Sequence, residues 1–196
     1  MSTTSSSPSG QPRLRADAAR NRARVLAAAE ELFAEQGADA QLLDIARRAG
    51  VGAGTVYRHF PTKEALFAEV AAARLNDLLD EAVALAAGRD PGEAFLAFWV
   101  RATQQACRNA AICEAFTSST GQELRVPVEI RERFLRTFAD MLSAAQRVGA
   151  IRADVDAEDG VALLSAAVLA DQRRADSAQP GRLARIIANA MRPEPS

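Results

Sequence analysis

The apolar residues of this chain never alternate with polar ones over a usable length. A half-buried strand needs that period of two, so strands are excluded as the main element, and recurrences at three and four residues call for amphipathic helices instead. Val25, Leu26, Ala29, Leu32 and Phe33 form one such stripe. It predicts a first helix over about Asp17–Gln36, closed by Gly37 as a left-handed cap. Short helices are expected near Gln41–Ala49 and Ala53–His59, on either side of a glycine-containing turn. Pro61 ends the second of them, because the residue before proline disfavours the α region. Thr62 is placed to cap a long helix, roughly Lys63–Ala87, that ends at Gly88. Further helical stretches near 91–108, 109–119, 127–148, 157–175 and 180–192 are separated by Asp90-Pro91-Gly92, Gly121, Gly149 and Pro180-Gly181. The expected fold class is all-α.

Composition removes several classes of function. Apolar residues make up 48% of the 196 and charged residues 25%, which excludes a largely disordered protein. Only residues 1–16, polar and of low complexity, are expected to be disordered. Cys107 and Cys113 are the only cysteines, too few for a disulfide framework or a zinc knuckle, and they read as buried reduced thiols. The opening residues lack the apolar stretch of a signal peptide. The longest apolar run, Val161–Ala170, has about half the roughly 20 residues a bilayer requires. A cytoplasmic protein without membrane contact is expected. The net charge is −1, yet residues 1–63 carry +3 and the remainder −4, so a mildly basic head precedes an acidic body.

Residues 41–60 read QLLDIARRAGVGAGTVYRHF. Ala46 is small where two helices must cross, Gly50 sits where a tight turn needs positive φ, and Val56 packs back from the second helix. Ile45 and Val51 fill the angle between them. Small, glycine and apolar at these offsets is the helix-turn-helix pattern. The second helix presents Gly54, Thr55, Tyr57, Arg58 and His59, with Lys63 at the next helix start. Glycine allows close approach to a surface, and the rest cluster hydrogen-bond donors and cations that can hold phosphate. The plainer alternative is a solvated polar face on a connecting helix. His59 is the chain's only histidine. It lacks neighbouring ligands for a metal site and a nucleophile for a triad, so no metal and no cofactor are expected.

The stretch from about Arg22 to Phe67, above all DIARRAGVGAGTVYRHFPTKEALF, resembles the DNA-binding domain of the tetracycline-repressor (TetR) family. The tail, GAIRADVDAEDGVALLSAAVLA with the Arg-Leu-Ala-Arg helix after it, is similar to the actinobacterial branch called SbtR-like. The resemblance implies a helix-turn-helix DNA-binding domain at residues 17–63 and a helical regulatory and dimerisation domain at residues 64–192. It also implies a homodimer on a palindromic double-stranded DNA operator, and a small-molecule effector whose identity it leaves open. Tyr57, His59 and Lys63 match the family's phosphate-contacting positions, and Gly54 and Thr55 match positions against the groove. Gln41 stands where the family usually has a capping, phosphate-touching threonine, and Gly52 and Ala53 stand for its common serine and lysine. Lower phosphate affinity, or compensation by the arginine-rich arm Arg13–Arg24, would follow.

In the body, Phe95, Phe98 and Trp99 share one helix face, and Phe134 and Phe138 lie one turn apart on another. They are read as lining an effector pocket, with Thr103 and Gln104 as polar handles; ordinary core is the competing reading. Leu183, Ile186 and Ile187 form an apolar stripe, and Leu164 and Val168 lie in an Ala- and Ser-rich helix. Together they are expected at a dimer seam, where small residues let helices approach. The leading reading is a ligand-responsive transcriptional regulator, most often a repressor. A helical small-molecule-binding protein with weak or lost DNA binding is the alternative. An enzyme finds no support in any nucleophile–base pair, paired carboxylates or Gly-rich phosphate loop.

Overall fold

The computed structural model describes residues 11–36, 39–108, 126–173 and 181–193. They form α1 (Gln11–Gln36), α2 (Leu42–Ala49), α3 (Ala53–His59), α4 (Lys63–Gly88), α5 (Pro91–Arg108), α6 (Val128–Arg147), α7 (Ala157–Gln172) and α8 (Arg182–Ala190). No strand occurs among the described residues. The expected helix at 109–119, Gly37, Gly121 and Cys113 lie outside them. The chain divides into two compact units, Met1–Leu66 and Phe67–Ser196.

Helix α1 begins six residues before the expected Asp17, so residues 11–16 are helical and not part of a disordered tail. Pro12 did not prevent this, because it falls in the first helical turn, where a backbone N–H has no intrahelical partner anyway. In the first unit α1 buries Val25, Ala28, Ala29, Leu32 and Phe33. Against this stripe lie Leu42, Ile45, Ala46 and Ala49 of α2. Polar contacts flank the apolar ones. Arg48 of α2 reaches both Glu31 (3.2 Å) and Glu35 (3.0 Å) on α1.

In the second unit α5 packs against α6, α7 and α8, and α7 packs against α8. Its core holds Phe95, Phe98, Trp99, Phe134 and Phe138 among Leu75, Leu78, Leu79, Leu142 and Leu164. The helix starts follow local chemistry. Asp156 caps α7 by accepting from the Asp159 N–H (2.8 Å), and the Asp159 carboxylate accepts from the Asp156 N–H in return. Asp90 does the same work for α5, accepting from the N–H of Gly92 at 2.9 Å. Gln146 Nε2 donates to the carbonyls of Arg152 (3.0 Å) and Val155 (2.7 Å), which shapes the turn between α6 and α7. That turn is tied to the end of α8 by Arg152 N–H donating to Met191 O at 2.9 Å.

Gly160 brings α7 onto the Phe138 ring: a Cβ there would stand 2.6 Å from one ring carbon and 2.8 Å from another. Gly160→Ala should therefore lower the free energy of unfolding by about 1–3 kcal/mol through overpacking. A fall in the urea midpoint with unchanged slope would register it. The Glu35–Arg48 contact has a pH signature. Arg48 holds the Glu35 carboxyl below its ordinary 4.5, chiefly by hydrogen bonding, with burial opposing and charge attraction adding. A folded value below the unfolded one stabilises fully above about 4.5, and the effect is lost as pH falls through the folded value. Between about pH 5 and about pH 3 the wild type should lose more melting temperature than Glu35→Gln, read by circular dichroism.

Candidate nucleic-acid interface

The turn between α2 and α3 is closed by backbone bonds alone. Gly50 adopts φ +62°, ψ +38°. Its N–H donates to Arg47 O (3.2 Å), and the Val51 N–H donates to Ala46 O (3.1 Å). This pair of bonds satisfies two carbonyls left over at the end of α2, and the left-handed residue between them suits glycine. Helix α3 then starts at Ala53, behind Gly52, which supplies no side-chain cap. Its anchor is Val56, fully buried, followed by buried Phe60 just past the helix end.

Burying Val56 decides what the rest of α3 does. At about 100° per residue, Gly54, Tyr57 and Arg58 fall together on the opposite side, and all three are exposed, Tyr57 by 48%. Thr55 and His59 are half-buried at the border of that face. The His59 ring lies 6.3 Å from the Phe60 ring, inclined by 52°. Nothing stands within 4 Å of where a Gly54 Cβ would be. The protein itself therefore has no steric need of glycine here.

Lys63 follows as the first residue of α4, half-buried, behind Thr62. Thr62 Oγ1 accepts from the Ala65 N–H at 3.1 Å, the cap its place in the sequence predicts. Gln41 occupies the capping position of α2 without capping: its Nε2 donates to Asp39 O at 2.9 Å. Of the residues singled out in the sequence, Gly54, Tyr57 and Arg58 thus share one outward surface, Thr55, His59 and Lys63 border it, and Gln41 belongs to another helix start.

Two arginines of α1 also reach this region. Arg24 donates to Gly50 O at 2.9 Å, and the Arg22 guanidinium carbon lies 5.5 Å from the centre of the Phe60 ring. Arg20 pairs with Asp17. Periodicity carries no signal for the Arg22 and Arg24 contacts, since both join α1 to positions 26 or more residues away.

In the second unit the six residues expected to line a pocket form packed core. Phe95, Phe98, Trp99, Thr103 and Phe138 have no exposure and Phe134 has 4%. Ring centres lie 5.5 Å apart for Phe95–Phe138, 6.0 Å for Phe98–Phe134 and 6.3 Å for Trp99–Phe138. Their polar atoms are paired: Trp99 Nε1 donates to Ala184 O (3.0 Å), and Thr103 Oγ1 donates to Trp99 O (3.0 Å). The Thr103 proton is thus committed within the helix. Gln104, the other expected handle, lies against Gly181 at the start of α8.

Two of the residues expected at a dimer seam are corrected by burial. Leu164 and Val168 are fully buried within a single chain, so they face the protomer's own interior and have no side-chain surface left for a partner. The Ala- and Ser-rich pattern around them gave no indication of which side of the helix faces in. Leu183 and Ile187 are half-buried, and Ile186 is 50% exposed. On α7 the outward line is Ala162, Ala166 and Leu169. Asp171, near the end of α7, accepts from the Leu183 N–H at 3.4 Å and so serves the first turn of α8, where Gly181 has no side chain to offer.

Among the described residues no helix is long and apolar enough to cross a membrane, and no group of three or more His, Cys, Asp or Glu stands where it could hold a metal ion. Comparison with known proteins agrees with the geometry of the first unit. Residues 25–70 match the family model for bacterial regulatory proteins of the tetR family, and residues 90–193 match the SbtR-like transcriptional regulator C-terminal domain. None of the curated proteins compared with the chain matches it. Among solved structures, a TetR transcription regulatory protein from Mycobacterium vanbaalenii is 42% identical, over 91% of this chain and 99% of that one, with a TM-score of 0.64. A TetR transcriptional regulator from Streptomyces coelicolor is 33% identical over 89% and 99%, with a TM-score of 0.67. A structure described as the molecular basis for control of antibiotic production by bacterial hormones is 28% identical over 88% and 95%, with a TM-score of 0.63. The chain belongs to the TetR family of bacterial transcriptional regulators, with an SbtR-like C-terminal domain.

Proposed function

We propose that this regulator is a repressor that binds a palindromic operator as a homodimer and responds to a small-molecule effector. The observation that carries the reading is the outward face of α3: Gly54, Tyr57 and Arg58 against buried Val56, with His59 and Lys63 at its border. A seven-residue helix is only about 10 Å long, which suits one half-site in a major groove and leaves the second half-site to a second copy. A mobility shift with the chain's own upstream DNA tests the reading directly. Absence of any shift would favour a small-molecule-binding protein without DNA affinity, a reading supported by Gln41, whose amide is spent on Asp39 O, and by the uncapped Gly52.

A seam for the second copy is supported by the outward line of α7, Ala162, Ala166 and Leu169, and by exposed Ile186 on α8, which packs against α7. Small residues permit close approach, and two helices from each copy suffice for a four-helix interface. Leu183 and Ile187 would border it. The effector is proposed to act on the second unit. Its aromatic cluster is already filled by its own rings, so a ligand reaching Trp99 must displace them. Resorcinol is bound by RolR, a protein of similar fold, and hormones figure in the description of another relative. For an inducer, coupling of about 1–3 kcal/mol between effector and operator is the usual scale, and it must act equally in both directions.

Gly54→Ala should hold or raise the melting temperature, since alanine is the better helix former by roughly 0.8–1 kcal/mol. It should nonetheless weaken operator binding by about tenfold or more, the effect of about 1.4 kcal/mol. Lys63→Ala should weaken binding alike on all sequences and reduce the slope of log K against log salt by about 0.9. Tyr57→Phe and His59→Ala should weaken it with the slope unchanged. Gel shifts across a salt series measure all four, and unaltered affinity throughout would overturn the interface. Separately, Ile186→Glu should yield monomers in light scattering with little change in thermal stability, because half of that side chain is already exposed in one chain. A persisting dimer would move the seam elsewhere.

A further inference from the structure

Helix α3 is short, lacks a side-chain cap, and turns three of its seven residues to solvent. A helix of this length has little stability of its own, so its direction must be imposed by its surroundings. Val56 and Phe60 fix how deeply it sits and which side faces inward, but two apolar contacts resist a change of tilt only weakly. A further constraint comes from α1. Arg24 holds the carbonyl of Gly50, three residues before α3 begins. Arg22 lies over the ring of Phe60, the residue that follows α3. The Gly50 N–H donates to Arg47 O, so this residue is held through both its N–H and its carbonyl. Two side chains of α1, two residues apart, thus hold the turn that precedes α3 and the residue that follows it.

We propose that Arg22 and Arg24 are positioning residues that set the pitch of α3, and that neither acts by touching DNA. The proposal rests on the DNA-binding reading above for its functional consequence, though the clamp itself is a property of the free protein. Chemistry suits the two tasks. A guanidinium is planar and stays charged, so it can stack on a ring and can also donate to a carbonyl in a directed way. Loss of a bond from a charged donor tilts the helix and misplaces Gly54, Tyr57 and Arg58 together.

The test separates positioning from phosphate contact and from mere stability. Full-length Arg22→Ala and Arg24→Ala proteins are compared with wild type on a duplex selected by the wild-type protein from a random pool. Each should bind about tenfold more weakly, the scale of one lost charge-assisted bond, with the slope of log K against log salt unchanged. Arg24→Lys should recover part of the loss, since an ammonium can still donate to Gly50 O. Arg22→Lys should recover less, since it lacks the planar group that stacks. Without DNA, amide exchange over residues 51–60 should quicken in both alanine variants while exchange in α5–α8 stays as in wild type.

A slope lower by about 0.9 per arginine would make these residues phosphate contacts and overturn the proposal. Unchanged affinity alongside a lower melting temperature would reduce them to structural residues, and unchanged exchange over 51–60 would remove the clamp. If an alanine variant does not fold, the lysine variants carry the same comparison. If the wild-type protein selects no duplex, the DNA-binding reading fails, and the exchange measurement still decides whether the clamp exists.

Discussion

The first unit depends on a turn that costs the chain almost no sequence. Gly50 alone takes a left-handed conformation there, and the two backbone bonds around it end α2 without any side chain. From that point the chain can bury Val56 of α3, as α2 buries Ile45, Ala46 and Ala49. Everything proposed for α3 follows from this placement, because a helix that buries one residue in the middle must display those on its opposite side. A β-branched or bulky residue at position 50 would meet the steric penalty of positive φ, and the angle between α2 and α3 would open.

The all-α class and most element limits could be read from the sequence, because helix ends are governed by local chemistry. Thr62, Gly50, Pro61 and Gly88 each act within one turn of themselves, and the structure has helices starting or stopping at or beside all four. The start of α1 was misread for the complementary reason. Polar composition was taken for disorder, whereas arginine and alanine are good helix formers that need no apolar stripe to continue a helix already begun. The exposed face of α3 was legible through Val56. The arginine contacts with Gly50 and Phe60 were not, since they join distant positions and arise only when α1 crosses the turn.

The second unit shows where periodicity runs out. Leu164 and Val168 lie in a helix whose apolar and small residues are spread around it, so its inward side cannot be chosen from the pattern alone. The choice is made by Phe138, whose ring takes the space over Gly160 and draws that side of α7 into the core. Aromatic residues at helical spacing likewise fit a wall and a filled interior equally well. Here the indole of Trp99 reaches across to Ala184 O, joining α5 to α8 through a polar bond inside an otherwise apolar cluster. Such a bond restricts how α8 can slide against α5, because sliding would strand a buried donor.

Apart from His59, the basic side chains of this protein are 23 arginines and one lysine, and that lysine opens α4 beside α3. Guanidinium groups react poorly with acylating and isothiocyanate reagents, and primary amines react readily once deprotonated. Apart from the terminal amine, the chain therefore presents a single side-chain amine, and it lies at the border of the surface that α3 turns outward. One dye or one crosslinker coupled through that amine would report from this border without any engineered cysteine, and the same uniqueness makes the protein vulnerable there: one acylation event removes its only ammonium side chain.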